Sequence, residues 1–134
     1  TLTTKQINSL TSLQIPIINT NQIISLSTMQ IQAINPNIIS TLTTEELISL
    51  FTYQIVAFTT EQIYNLTFNQ ISSITSREII SFTFDQIAII NPSAILGLST
   101  SGILALSTYQ ISALDEFDIV LLSTNQLNVF DYNK

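Results

Sequence analysis

The chain has no cysteine, no histidine and no tryptophan, and of its 134 residues only two are glycine, three proline and three lysine or arginine. Each shortage removes a class of function. Without cysteine there are no disulfides and no thiolate metal sites. Without histidine or cysteine the commonest general base and the best nucleophile are missing, and no phosphate loop or zinc motif is present. The cations Lys5, Arg77 and Lys134 are too scattered to form the basic stripe that nucleic acid requires. Glu45 and Glu46 are adjacent in sequence, so on a helix they point different ways. Mean hydropathy is +0.42, yet the longest apolar runs, such as Ile119-Val120-Leu121-Leu122, are too short to span a membrane. This composition favours neither an enzyme nor a cofactor-binding protein. The start at Thr1, with no initiator methionine and no basic, apolar leader, predicts a processed product or a piece of a longer protein.

What the chain does have is a period of eight. The stretch Phe58-Thr59-Thr60-Glu61-Gln62-Ile63-Tyr64-Asn65 recurs without a register slip from Leu2 to Phe130. The column that runs from Leu2 to Phe130 is Leu, Ile or Phe at all 17 positions, and the column from Ile7 to Leu127 is Ile or Leu at all 16. The column from Thr3 to Asp131 holds Thr, Ser, Asn or Asp everywhere but at Phe51. The column from Gln6 to Gln126 is Gln ten times and Glu twice, departing at Ile38, Ala94, Gly102 and Asp118. A strict short period over the whole length marks a repeat architecture, because a unit this small must stack on its neighbours to bury its apolar face. Residues 1–134 therefore form one repeat domain.

The chemistry of one unit is that of a helix start. In Thr59-Thr60-Glu61-Gln62 the Thr59 hydroxyl can accept from the Gln62 N–H while the Gln62 side chain reaches back to the Thr59 N–H, a capping box. Phe58 and Ile63 flank it at the spacing of a hydrophobic staple. Thr67, Gln70 and Ile71 repeat the pattern in the next unit, with Leu66 in the place of Phe58. Pro36 and Pro92 follow Asn35 and Asn91 at the first helical position, where the missing N–H matters least. All nine acids fall between a cap and the third helical position, near the positive end of a helix dipole. The net charge of −6 is thus explained by capping before any acidic partner surface is invoked.

A β-solenoid is the structural rival, since Ile and Thr favour strands. Its inward residues would lie two apart, whereas here the apolar columns are three and five apart, and the glycines for tight corners are lacking. The expected fold is therefore all-α, a solenoid of helices about six residues long, one per unit. Pro16, Ser40, Tyr64, Ala88 and Ser112, spaced 24 apart, include no large aliphatic residue, whereas the set Ile24, Ile48, Leu96 and Val120 is aliphatic but for Ser72. Three helices per 24-residue turn is the expectation, with 16-residue αα-hairpin layers as the alternative.

Tandem Leu-Thr-x-x-Gln-Ile-x-x-Leu units, here Leu2-Thr3-Thr4-Lys5-Gln6-Ile7 and Leu106-Ser107-Thr108-Tyr109-Gln110-Ile111, resemble repeat tracts of very large bacterial secreted and surface proteins of the adhesin or haemagglutinin-like kind. The resemblance implies a stalk, fibre or adhesive spacer at the cell surface or outside the cell, and carries over no functional residues. The segment from Asn91 to Leu106 departs most from the pattern, which reads as repeat decay before it reads as a bend or docking site. Asp115, Glu116 and Asp118 gather in one cap but lack the six or more oxygens of a hard-cation site. Tyr53, Phe68, Phe84, Tyr109 and Phe117 form either a binding face or packing between coils. Asp131 to Lys134 begin a further unit. A self-stacking structural module comes first among functions, its partner being other copies of itself. A protein- or peptide-binding solenoid is second. An acidic DNA mimic is third, and it requires carboxylates in a row at phosphate-like spacing.

Two substitutions separate packing from capping. Ile63→Asp should unfold several layers, because it buries an unpaired charge. Thr59→Ala should cost only about 1 kcal/mol. Denaturant unfolding of the two variants reads the difference, and equal, mild effects would overturn the packing account.

Overall fold

A computed structural model describes residues 2–131. Among them there is no strand, and the chain is a series of short helices. These are α1 Thr4–Asn8, α2 Thr20–Ile24, α3 Thr28–Gln32, α4 Thr44–Ser49, α5 Thr52–Val56, α6 Thr60–Tyr64 and α7 Phe68–Ser73. They continue as α8 Ser76–Ile79, α9 Phe84–Ala88, α10 Pro92–Ile95, α11 Thr100–Ala105, α12 Thr108–Ile111, α13 Glu116–Leu121 and α14 Thr124–Asp131. Two units are 3₁₀ helices instead, Ile15–Ile17 and Pro36–Thr41. In the first, Pro16 removes an N–H from the middle of the unit. In the second, Ile38 stands where the capping glutamine belongs, and Asn35 bonds to the nearer Asn37 N–H at 3.0 Å.

Each helix packs on the one that starts 24 residues away: α1 on α3, α3 on α5, α2 on α4, α4 on α7, α6 on α9, α9 on α12. Three helices therefore make one coil, and the hairpin alternative is excluded. Same-phase helices stack into three columns. The first holds α1, α3, α5, α8, α11 and α14. The second holds the two 3₁₀ helices with α6, α9 and α12, and the third α2, α4, α7, α10 and α13.

The apolar columns of the sequence become the interior. Ile7, Ile15, Ile23, Ile31, Ile39, Leu47, Ile63, Ile71, Ile87 and Ile95 are all wholly buried. Phe58, Leu66 and Phe82 close the core beside them. Burying one such side chain contributes about 1.5–3 kcal/mol, so the stack rather than the single helix carries the stability. Burial thins towards the last helix, where Leu127 is 37% exposed.

The irregular segment is a close contact, not mere decay. A Cβ on Gly97 would lie 2.6 Å from the Phe68 carbonyl oxygen and 3.0 Å from the Ser72 nitrogen of the coil beneath, so only glycine lets these two coils approach. One expectation is corrected. Helix α14 includes Asp131, so that residue is helical where the repeat would make it the cap before a new unit. The position three beyond it is Lys134, which has no acceptor for a capping box. Residues Tyr132 to Lys134, like Thr1, lie outside the described residues.

Candidate functional site

The residues marked out by the repeat meet as expected within a unit. Thr59 N–H donates to Gln62 Oε1 at 3.0 Å and Gln62 N–H donates to Thr59 Oγ1 at 3.2 Å. Thr67 and Gln70 do the same at 2.9 and 3.3 Å. Ile63, Leu66 and Ile71 are buried behind them. The box recurs with Asn19 and Gln22, Ser107 and Gln110, and Ser123 and Gln126. At Phe51, which has no side-chain acceptor, Gln54 alone closes the turn, accepting from Phe51 N–H at 2.8 Å.

The other half of the glutamine amide makes a second connection. Gln62 Nε2 donates to the carbonyls of Ile31 and Ile34, both at 2.8 Å, one coil below. Gln70 reaches Ile39 at 2.9 Å and Leu42 at 2.7 Å, and Gln86 reaches Val56 at 3.0 Å and Phe58 at 2.7 Å. Gln54, Gln110 and Gln126 bond likewise to Leu26, Phe82 and Leu98 at 2.8, 2.8 and 2.6 Å, and Gln30 to Leu2. These acceptors sit at corners, where one helix has ended and its last carbonyls have no partner within it. One buried amide thus caps the start of its own helix and the end of a helix in the coil beneath. Gln54 and Gln62 are wholly buried, which makes both halves obligatory.

Capping alone does not reveal this ladder, although the sequence held a signal for it. Glutamate serves a capping box as well as glutamine does, yet glutamine outnumbers it ten to two in that column. Only glutamine adds a donor.

The remaining candidates do not converge. Among the described residues no three acidic or other ligating side chains gather, so Asp115, Glu116 and Asp118 form no metal cluster. Asp115 is a cap that accepts from the N–H groups of Phe117 and Asp118, both at 2.9 Å. Tyr53 lies on the first column and stacks on Phe51 with ring centroids 5.6 Å apart. Phe84 and Tyr109 meet between coils of the second column at 4.9 Å. Phe68 and Phe117 belong to the third, so the aromatics make no single face. The described carboxylates are likewise divided among three columns, with Glu78 on the first, Glu61 and Asp85 on the second, and Glu45, Glu46, Asp115, Glu116 and Asp118 on the third. Among the described residues no helix is long and apolar enough to cross a membrane.

Asp118 takes a ladder position and is 6% exposed. Burial raises its pKa above the usual 3.8, the N–H of Asp115 partly lowers it, and the Asp115 carboxylate raises it again. Comparison of the chain with protein-family models, curated proteins and solved structures finds no match.

Two tests follow from the ladder. Gln62→Glu removes the bonds to Ile31 and Ile34 and sets a buried anion against carbonyls, so it should destabilise by about 3 kcal/mol. Gln6→Glu, exposed and with no described coil beneath, should be near neutral in the same denaturant titration. For Asp118 the folded state holds the proton more tightly than the unfolded one, so its contribution is present below pH 3.8 and is lost as pH rises through the raised pKa. The thermal midpoint of Asp118→Asn should therefore gain on the parent chain as pH rises above 3.8, and a gap independent of pH would refute the assignment.

Proposed function

We propose that the chain is a structural repeat module that extends by adding coil to coil, a stalk or filament element of an extracellular or cell-surface protein. The observation behind this reading is the state of the ladder at the ends of the described stack. Gln6, Gln14 and Gln22 use their Oε1 atoms to cap their own units, but among the described residues their Nε2 atoms bond to no other coil. Beside them a cavity of about 360 Å³ opens, with an apolar floor of Leu2, Ile7, Ile18 and Leu26 and an amide rim that includes Gln6 and Gln22. At the opposite end the corner carbonyls of Leu114 and Leu122 accept no glutamine among the described residues. One end offers donors around an apolar hollow and the other offers acceptors, at the same 24-residue register that joins every pair of coils inside.

Such faces are complementary to each other, so a further coil fits whether it belongs to the same polypeptide or to a second copy. Contacts of this head-to-tail kind generate filaments where successive copies stack along one axis and the rotation does not close into a ring. The absence of histidine and cysteine, and the use of most acids as caps, agree with a role in support rather than catalysis. A second reading, a protein- or peptide-binding solenoid, draws on the shallow groove beside Phe84, Tyr109 and Ala105.

Light scattering of the 134-residue chain over a concentration series tests the first reading, with expected masses that rise above 14.9 kDa. The triple change Gln6→Glu, Gln14→Glu and Gln22→Glu replaces exposed donors by acceptors, and it should abolish the rise while leaving the circular dichroism spectrum unchanged. A parent chain that stays monomeric throughout would reject self-stacking.

A further inference from the structure

Position 46 breaks the ladder in a way that leaves a specific chemical demand. Elsewhere a glutamine nitrogen faces the carbonyls 28 and 30 or 31 residues back in the coil beneath. Here the chain supplies a carboxylate. Glu46 is 4% exposed. One of its oxygens, Oε2, accepts from the Thr43 N–H at 2.6 Å and the Thr43 hydroxyl at 2.9 Å. The other, Oε1, is buried without a hydrogen-bond partner, the one such side-chain atom among the described residues. By the ladder register the carbonyls beneath it belong to Ile18 and Pro16. Both residues line, together with Glu46, a cavity of about 310 Å³ that Asn19, Thr20 and Glu45 also border.

Acceptors cannot bond to one another; a carboxylate oxygen is joined to backbone carbonyls by a hydrogen, from the carboxyl itself or from a water, or by a cation, and of these only a cation makes the junction respond to added metal salts. We propose that this cavity is a binding site for a single hard cation of the sodium or calcium class. Glu46 Oε1 supplies the charge, and the corner carbonyls of Ile18 and Pro16 supply neutral oxygens. Ladder partners elsewhere stand 2.5–3.5 Å apart, and two oxygens bound at right angles to one cation at about 2.4 Å from each stand about 3.4 Å apart, at the long end of that range. The cavity has room for the waters that complete the shell, and Glu45 at its border adds a second negative charge. The cation would do for the third column between α4 and the Ile15–Ile17 turn what a glutamine amide does at other corners, so this coil junction becomes dependent on dissolved ions. The site does not rest on the self-stacking reading, since it lies within the described stack.

Thermal unfolding of the chain, stripped with a chelator and exchanged into choline buffer, tests the site as CaCl₂, NaCl or KCl is added. Glu46→Gln is the paired variant, and its amide restores the donor found at other coils, so it should fold. The parent chain should gain about 5 °C with calcium or sodium and bind about one ion per chain in calorimetric titration. The variant should start from a higher midpoint without metal and show no gain. Comparing the calcium and sodium arms identifies the ion. A parent chain indifferent to all three salts, or a variant that responds as the parent does, would overturn the site.

Discussion

A helix of five residues has almost no interior. Most of its N–H groups lie in the first turn and most of its carbonyls in the last, so nearly its whole backbone is left for something else to satisfy. This deficit is the constraint on which the rest of the structure depends. The chain meets it with a side chain that both accepts and donates, placed where a helix start in one coil lies over a corner in the coil beneath. Thr59 and the Gln62 oxygen close the start, and the Gln62 nitrogen closes the corner at Ile31 and Ile34. Apolar burial drives the stacking, and the amide fixes its register, since a slip of one residue would leave both halves unpaired in a dry interior.

The same logic explains where variation is tolerated and what it does. Ala94 and Gly102 omit the ladder side chain altogether, which leaves no buried charge, and Ser99 still caps α11 by accepting from the Gly102 N–H at 3.0 Å. Gly97 uses the freed space differently, bringing α10 against α7 more closely than any side chain would permit. Glu78 keeps the capping half of the interaction, accepting from Thr75 N–H at 2.7 Å, at a position only partly shielded from water. Glu46 keeps that half too, but deep in the stack, where its second oxygen is buried without a hydrogen-bond partner.

Much of this was legible in the residues. The apolar columns gave the interior, the box of Thr59 and Gln62 gave the helix starts, and the 24-residue sorting of Pro16, Ser40, Tyr64, Ala88 and Ser112 gave three helices per coil. These are local or periodic signals, and a repeat multiplies them. What was not legible depends on two coils meeting. The contact of Gly97 with Phe68 spans 29 positions in sequence, and nothing within one unit announces it. The destination of the Gln62 nitrogen is similarly remote, although the preference for glutamine over glutamate in that column was its trace. Asp131 shows the limit of pattern matching, for it lies inside helix α14 where the octad would make it a cap.

The ladder also has a direction and an uneven density. Its bonds run from later coils to earlier ones, 28 to 31 residues back. Coil 51–74 is tied to the coils before it by Gln54, Gln62 and Gln70, whereas coils 27–50, 75–98 and 99–122 are each tied back by one glutamine, Gln30, Gln86 and Gln110. Under tension along the axis these junctions bear load in series, and the sparsest part before the weakest coil ruptures the rest. A pulled molecule would therefore peel from both ends inward and keep the layers around residue 60 as the last intact segment, so a stalk built from such units would lengthen in steps of one coil before it broke.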